Sequence, residues 1–182
     1  DVIPAPGSSH KAAAPAVARI RHVLHFARTI YRWVIFDLSG LSEYARGLAP
    51  HLDEWVLMTH LDVLSVFHAR RLLAELKDLG VEPSVPKVVV NRAGEGDRLR
   101  GSSLQEVLVV GPWHAIPADD AALLEAYTKG RLLEGASEAG GALLEMAMRL
   151  AGRQEEPSRS LSGLLKRIGW SRARQKAEVA VK

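Results

Sequence analysis

An aspartate closes the most apolar run near the start of this chain. In "YRWVIFDLSG", residues 31–40, four apolar residues from Trp33 to Phe36 lead into Asp37, and Gly40 follows three positions later. A buried carboxylate is costly unless it is paired, hydrogen-bonded or near a cation. At the carboxyl end of a strand it would lie at the rim of the sheet, where open α/β folds bind ligands. An Asp there can hold Mg²⁺ through water, and a glycine just behind it lets a backbone N–H approach a phosphate. The same pattern also opens ordinary loops. A second stretch, "VVVNR", ends a β-like run on Asn91 and Arg92. The Asn amide offers both a donor and an acceptor to a purine edge, although Asn also simply turns chains. A third, "WHAIPADDAALLEAYTKGRLL", reads as a strand ending at Pro117, an Asp-capped entry and a helix stopped by Gly130.

The elements that would position these residues alternate. Val17, Ile20, Val23, Leu24, Ala27 and Ile30 recur at helical spacing. "WVIFDL", "WVLMT" and "KVVVNR" read as strands, and "WHAIP" as a short one. "SEYARGLAPHL" reads as a short helix with Ser42 as its N-cap. "SVFHARRLLAELKDLG" is a long helix capped by Ser65, with a stripe of Val66, Ala69, Leu72, Leu73 and Leu76 and a stop at Gly80. Helices are also expected over Ala118–Lys129 and Ala136–Leu150, with a helical turn at "SSLQEVL" and a short strand at Val2–Ala5. The strands are continuous apolar runs, which indicates burial on both faces. The fold class expected is therefore α/β, a three-layer, doubly wound, mostly parallel sheet.

Composition excludes several classes. The chain has 182 residues, 47% hydrophobic and 25% charged, and no cysteine. That is enough for one domain, and it rules out disulfides, thiolate metal sites and cysteine catalysis. No run is long enough to span a bilayer, and "DVIPAPGSSH" is no signal peptide. The strand-like opening without Met suggests a piece of a longer protein. Of the seven histidines, only His22 and His25 have a metal-capable spacing, and no acid accompanies them. No nucleophile elbow surrounds Ser8 or Ser9. Residues 153–182 hold eight Lys/Arg and three Asp/Glu, a net +5, leaving 16 and 18 for the rest, a net −2. The core is thus not expected to bind nucleic acid.

Taken together, in this order and spacing, the segments from about Asp1 to Gly152 resemble the C-terminal half of the MinD/ParA family of P-loop ATPases with a deviant Walker A motif. "DVIPAP", "YRWVIFDLSG", "HLDEWVLMTHLDVLSVFHARRLL", "KVVVNR" and "IPADDAALLEAYTKGRLL" carry the likeness. The CpaE/TadZ group, tied to pilus assembly and polar localisation, is the nearest in overall look, and MinD-like flagellar regulators follow. The resemblance implies a P-loop NTPase-like fold that uses ATP and Mg. It makes Asp37 the catalytic switch II acid, near Mg²⁺ through water, and sets Gly40 by the γ-phosphate. Asn91 and Arg92 would meet the adenine, and Pro117 and Ala118 would pack beside base or ribose. Thr59, His60 and Asp62 would contribute to the interface of a homodimer. The family's phosphate loop should precede these residues, and no G-x-x-x-x-G-K-[ST] string occurs in them. The chain alone is therefore expected to bind ATP poorly and not to hydrolyse it. Ser39 and His60 depart from the family's usual residues. A pseudo-ATPase that dimerises as a scaffold without catalysis is the alternative, and protein partners in a pilus or flagellar assembly are implied in either case.

Residues 153–182 form a basic, partly amphipathic tail behind the ATPase-like part at 1–152. Leu161, Leu164, Leu165 and Ile168 fall at i, i+3, i+4 and i+7, Trp170 follows, and Lys166 and Arg167 add charge. This pattern suits an anionic membrane surface, and MinD proteins end similarly. It also suits a helix packed on the core. The expected location is cytoplasmic, with the option of peripheral attachment at the inner membrane.

Overall fold

Apolar residues that recur every second or every third to fourth position settle which segments become strands and which become helices. The computed structural model describes residues 17–38, 40–94, 108 and 110–152. Five α-helices are described: α1 (Val17–Ile30), α2 (Glu43–Leu48), α3 (Val63–Asp78), α4 (Asp120–Thr128) and α5 (Glu138–Leu150). Strands β1 (Trp55–Thr59), β2 (Pro86–Ala93) and β3 (Pro112–Pro117) form one parallel sheet in the order β1-β2-β3. Trp55 to Thr59 pair with Pro86 to Val90, and Val88 to Ala93 pair with Pro112 to Pro117 across two register shifts.

Central β2 buries both faces, as its apolar run requires. Val88 and Val90 face a cluster with Leu61, Val66, Ala69, Leu108 and Ala115, on the α3 side. Val89 faces the other way, toward Ile116, Ala139, Trp113 and Met146 on the α5 side. Three layers result, with the sheet between helices, as expected for the α/β class. The stripe of α3 is buried at Val66, Ala69, Leu72 and Leu76.

Two expectations need correction. The run Trp33–Leu38 is not a strand. Among the described residues it makes no sheet pairing, and Trp33 and Ile35 are 48% and 87% exposed. A strand exists only through a neighbour's ladder, and the described sheet stops at β1. Ser65 does not cap α3. The helix starts two residues earlier, and Asp62 accepts the Ser65 N–H at 2.9 Å. A carboxylate at the N-cap also complements the helix dipole. Ser42 caps α2 as expected, accepting the Ala45 N–H at 3.2 Å. Gly80 and Gly130 take φ of +83° and +57° where α3 and α4 stop. The expected strand at 2–5, the turn at "SSLQEVL" and the tail lie outside the described residues.

Candidate functional site

Parallel strands deliver all their carboxyl ends to one edge of the sheet. Register sets Thr59 level with Val90, and Ala93 level with Pro117. The ends of β1, β2 and β3 therefore form one rim that carries Asn91, Arg92, Pro117 and Ala118. Arg92 is the site's geometric oddity. Its φ is +53°, and among the described residues no other non-glycine has a positive φ. Such a backbone is uncommon for a long side chain and marks a local constraint. Two contacts hold it. Asn91 Oδ1 accepts the Arg92 N–H at 3.0 Å. The Arg92 guanidinium grips the Asp120 carboxylate through both oxygens, at 2.8 and 2.9 Å. Asp120 opens α4, so the turn after β2 is tied to the helix after β3.

A second clamp lies beneath. Ala118 N–H donates to Ala93 O at 3.2 Å, which seats the Pro117–Ala118 turn on the end of β2. Asp119 caps α4 through the Ala122 N–H, and its other oxygen accepts the Ala139 N–H at the start of α5, both at 3.3 Å. One carboxylate thus serves two helix N-termini, where negative charge is favoured. The Asp cap was legible in "PADDA". The Arg92–Asp120 pair and the reach of Asp119 to α5 were not, because both depend on how far β2 and β3 are offset.

The chemistry left open at this rim belongs to the half-buried Asn91 side chain. Its amide nitrogen keeps two donors, and its oxygen keeps a second lone pair. That set matches the donor–acceptor edge of a purine. The Arg92 guanidinium, the next side chain along, is exposed and held on Asp120.

The other expected site residues are placed differently. Asp37 is exposed, lies outside any strand and bonds to no other described residue. Gly40 has a φ of +91° and donates its N–H to Leu38 O at 2.9 Å. The structure shows no contact that joins this pair to the Asn91 rim. Thr59 is buried with its hydroxyl 3.4 Å from His60 O, while His60 is exposed. Asp62 is engaged as the α3 cap, and the N–H and hydroxyl of Ser65 hold its carboxyl below the usual range. Leu161, Leu164, Leu165, Lys166, Arg167, Ile168 and Trp170 lie outside the described residues. Among the described residues, no group of three or more His, Asp or Glu could hold a metal ion. No described helix is long and apolar enough to cross a membrane.

Comparison with solved structures then fixes the fold. A ParA family ATPase from Chlorobium tepidum TLS superposes with a TM-score of 0.74 at 23% identity, over 81% of this chain and 62% of that one. The fold is that of the ParA and MinD proteins. MinD of Aquifex aeolicus in its MinC:MinD cell division complex gives 0.66 at 19% identity, over 79% of this chain and 62% of that one. MinD from the same organism alone gives 0.63 at 18%, over 79% and 64%. This ParA/MinD-like chain spans less than two thirds of the length of each of these structures. No family model matches it, and no curated relative does either.

Proposed function

We propose that this chain holds the base-and-ribose side of a nucleotide-switched positioning ATPase, of the kind its fold neighbours represent. The observation that carries this reading is the Asn91–Arg92 turn, locked by Asp120 at the sheet rim beside Pro117 and Ala118. ATP fits it at one end only. Asn91 would hold the adenine edge, and Arg92, Pro117 and Ala118 would bracket base and ribose. These residues contain no lysine-bearing glycine loop for the β- and γ-phosphates. When bound, ATP with Mg²⁺ supplies the phosphoryl group whose loss relaxes the switch. Asp37 would be the acid near that metal, and Gly40 would lie by the γ-phosphate. The finer role is pilus assembly or polar localisation in a CpaE-like protein, working as a homodimer with Thr59, His60 and Asp62 at its face. The tail would supply peripheral membrane attachment.

The test is saturation-transfer NMR with adenosine, ADP and ATP, which detects weak binding. The adenine and ribose protons should receive saturation, and adenosine should bind about as well as ATP. Asn91→Ala should abolish the adenine signal. Tight ATP binding that ignores Asn91, or ATP turnover by this chain, would overturn the reading. A scaffold that pairs without catalysis is the second reading. The exposure of Asp37 outside the sheet favours it, because a switch acid must be held in place to act.

A further inference from the structure

The carboxyl end of β2 departs from strict alternation. Val90 pairs with Ala115 and Ala93 with Pro117, so three steps on β2 match two on β3. One residue is extra, and Ala93 returns to the α3-side cluster of Val88 and Val90. Alternation alone would have sent it to the face of Val89. The extra residue makes a bulge, a feature that re-aims side chains. Asn91 and Arg92 are the two residues inside it, and Arg92 carries the positive φ, +53°. Glycine takes such a φ freely, and arginine does not. The backbone therefore does not explain the arginine, whereas its guanidinium does. It forks onto both oxygens of Asp120, at 2.8 and 2.9 Å, the arrangement in which an arginine–carboxylate pair is most directional.

We propose that Asp120 is a positioning residue for a purine: from α4 it holds the β2 bulge through Arg92, and the bulge fixes which way round the Asn91 amide meets its ligand. The inference rests on the nucleotide reading above, and Asp120 acts in it only through Arg92. The two ends of an amide are alike in shape and opposite in chemistry. The Arg92 N–H, 3.0 Å from Asn91 Oδ1, decides between them. It does so only while the bulge aims that N–H at the neighbouring side chain. Oδ1 then keeps one lone pair for the 6-amino group of adenine, and Nδ2 donates to a ring nitrogen. If the bulge relaxes, the amide is free to turn over, and the order of donor and acceptor is lost.

The anchor of this clamp is well held. Asp120 is the first residue of α4. Asp119 before it accepts the Ala122 N–H in α4 and the Ala139 N–H at the start of α5. The Ala118 N–H is bonded to Ala93 O, just beyond the bulge. Support of this kind keeps a binding side chain in one geometry. The pair itself is exposed, 51% for the Arg92 side chain and 68% for that of Asp120, so its strength is modest and yields to salt. The clamp therefore sets a severalfold preference rather than an all-or-none gate.

Adenosine carries no charge, so salt acts on its binding through the protein's own ion pairs. In saturation-transfer titrations of the full chain, Asp120→Asn, which keeps the shape and loses the fork, should weaken adenosine severalfold. It should also shrink the preference for adenosine over purine riboside, which lacks the 6-amino group. Added NaCl should weaken the native chain toward the variant and leave the variant unchanged. Arg92→Gly takes the same φ without a clamp, and in that background Asp120→Asn should change nothing. A purely structural role in α4 would weaken both backgrounds alike, and that result would overturn the inference. Amide exchange at Arg92, read by NMR without ligand, should speed up in Asp120→Asn, and an unchanged rate would overturn it too. Native adenosine binding that Asp120→Asn leaves intact would sink the inference and spare the nucleotide reading. No adenosine binding by the native chain would sink that reading, and the inference with it.

Discussion

His114 shows what one side chain does when a strand buries it. It is fully buried on the α5 face of β3. Its Nε2 lies 2.8 Å from Ala142 O, which requires the proton there, and its Nδ1 lies 3.3 Å from an Arg149 donor. The neutral ring satisfies both partners, whereas an imidazolium would face a guanidinium. Burial pushes its pKa below 6.5, Arg149 adds to that, and the Ala142 carbonyl and Glu145 act against it. Arg149 is itself anchored by Trp113 O at 2.7 Å and lies 4.2 Å from the Trp113 ring centre, while Lys87 lies 5.8 Å from it. A folded-state pKa below the unfolded value means that the unfolded chain takes up the proton first. Stability is therefore complete above about pH 6.5 and falls as pH drops toward the folded-state pKa. Thermal unfolding should show a midpoint that declines through this window, and His114→Gln should flatten the decline. An unchanged pH profile in His114→Gln would assign the slope to other groups. In the sequence His114 is one of seven scattered histidines, and nothing local shows which faces of β3 are covered. That Asn91 lies near the carboxyl end of a strand was legible from the apolar run before it. The positive φ of Arg92 was not legible, because its partner is 28 residues away.

At the scale of elements, local signals fixed most boundaries. Val17–Ile30 forms a helix over the span its apolar repeat marks, and Gly80 and Gly130 end helices as glycine at a C-cap does. The misreadings have a common cause. "WVIFDL" has every strand propensity, but sheet formation is non-local, and hydrophobicity without a neighbour leaves only burial that alternates along the chain. The join between α4 and α5 was equally illegible, and it depends on one small residue. A Cβ on Gly140 would lie 1.9 Å from Glu134 O and 2.8 Å from the Ser137 hydroxyl. That hydroxyl caps α5 by accepting the Gly140 N–H at 3.1 Å and itself donates to Glu134 O at 2.9 Å. Backbone cannot yield as a side chain tip can. Gly140→Ala should therefore destabilise the fold by about 3 kcal/mol, the upper end for overpacking. Ser137→Ala should cost about 1 kcal/mol as a lost cap. Urea unfolding of both variants measures the two values, and a Gly140→Ala variant as stable as wild type would mean that the 134–140 turn has another conformation.

At the scale of the whole molecule, the described sheet ends at β1, a strand that covers only one face well. Val56 and Met58 are 40% and 47% exposed, and Trp55 Nε1 is buried without a hydrogen-bond partner. The run that would be expected to extend the sheet, Trp33–Leu38, pairs with no described strand and exposes Trp33 and Ile35. An unpaired strand edge beside apolar side chains is a template for another chain. The described core, nearly neutral, offers little repulsion to prevent it. Self-association should therefore rise with concentration in sedimentation velocity. Added salt should strengthen it, because screening removes what repulsion there is while apolar burial persists. Val56→Lys with Met58→Lys would set two cations on the outward face of the edge strand, a device that natural sheets use against edge pairing. This variant should remain monomeric at concentrations where the native chain assembles. If both proteins associate alike, the contact lies elsewhere, and the basic apolar face of α1, with Phe26 66% exposed, becomes the surface to alter next.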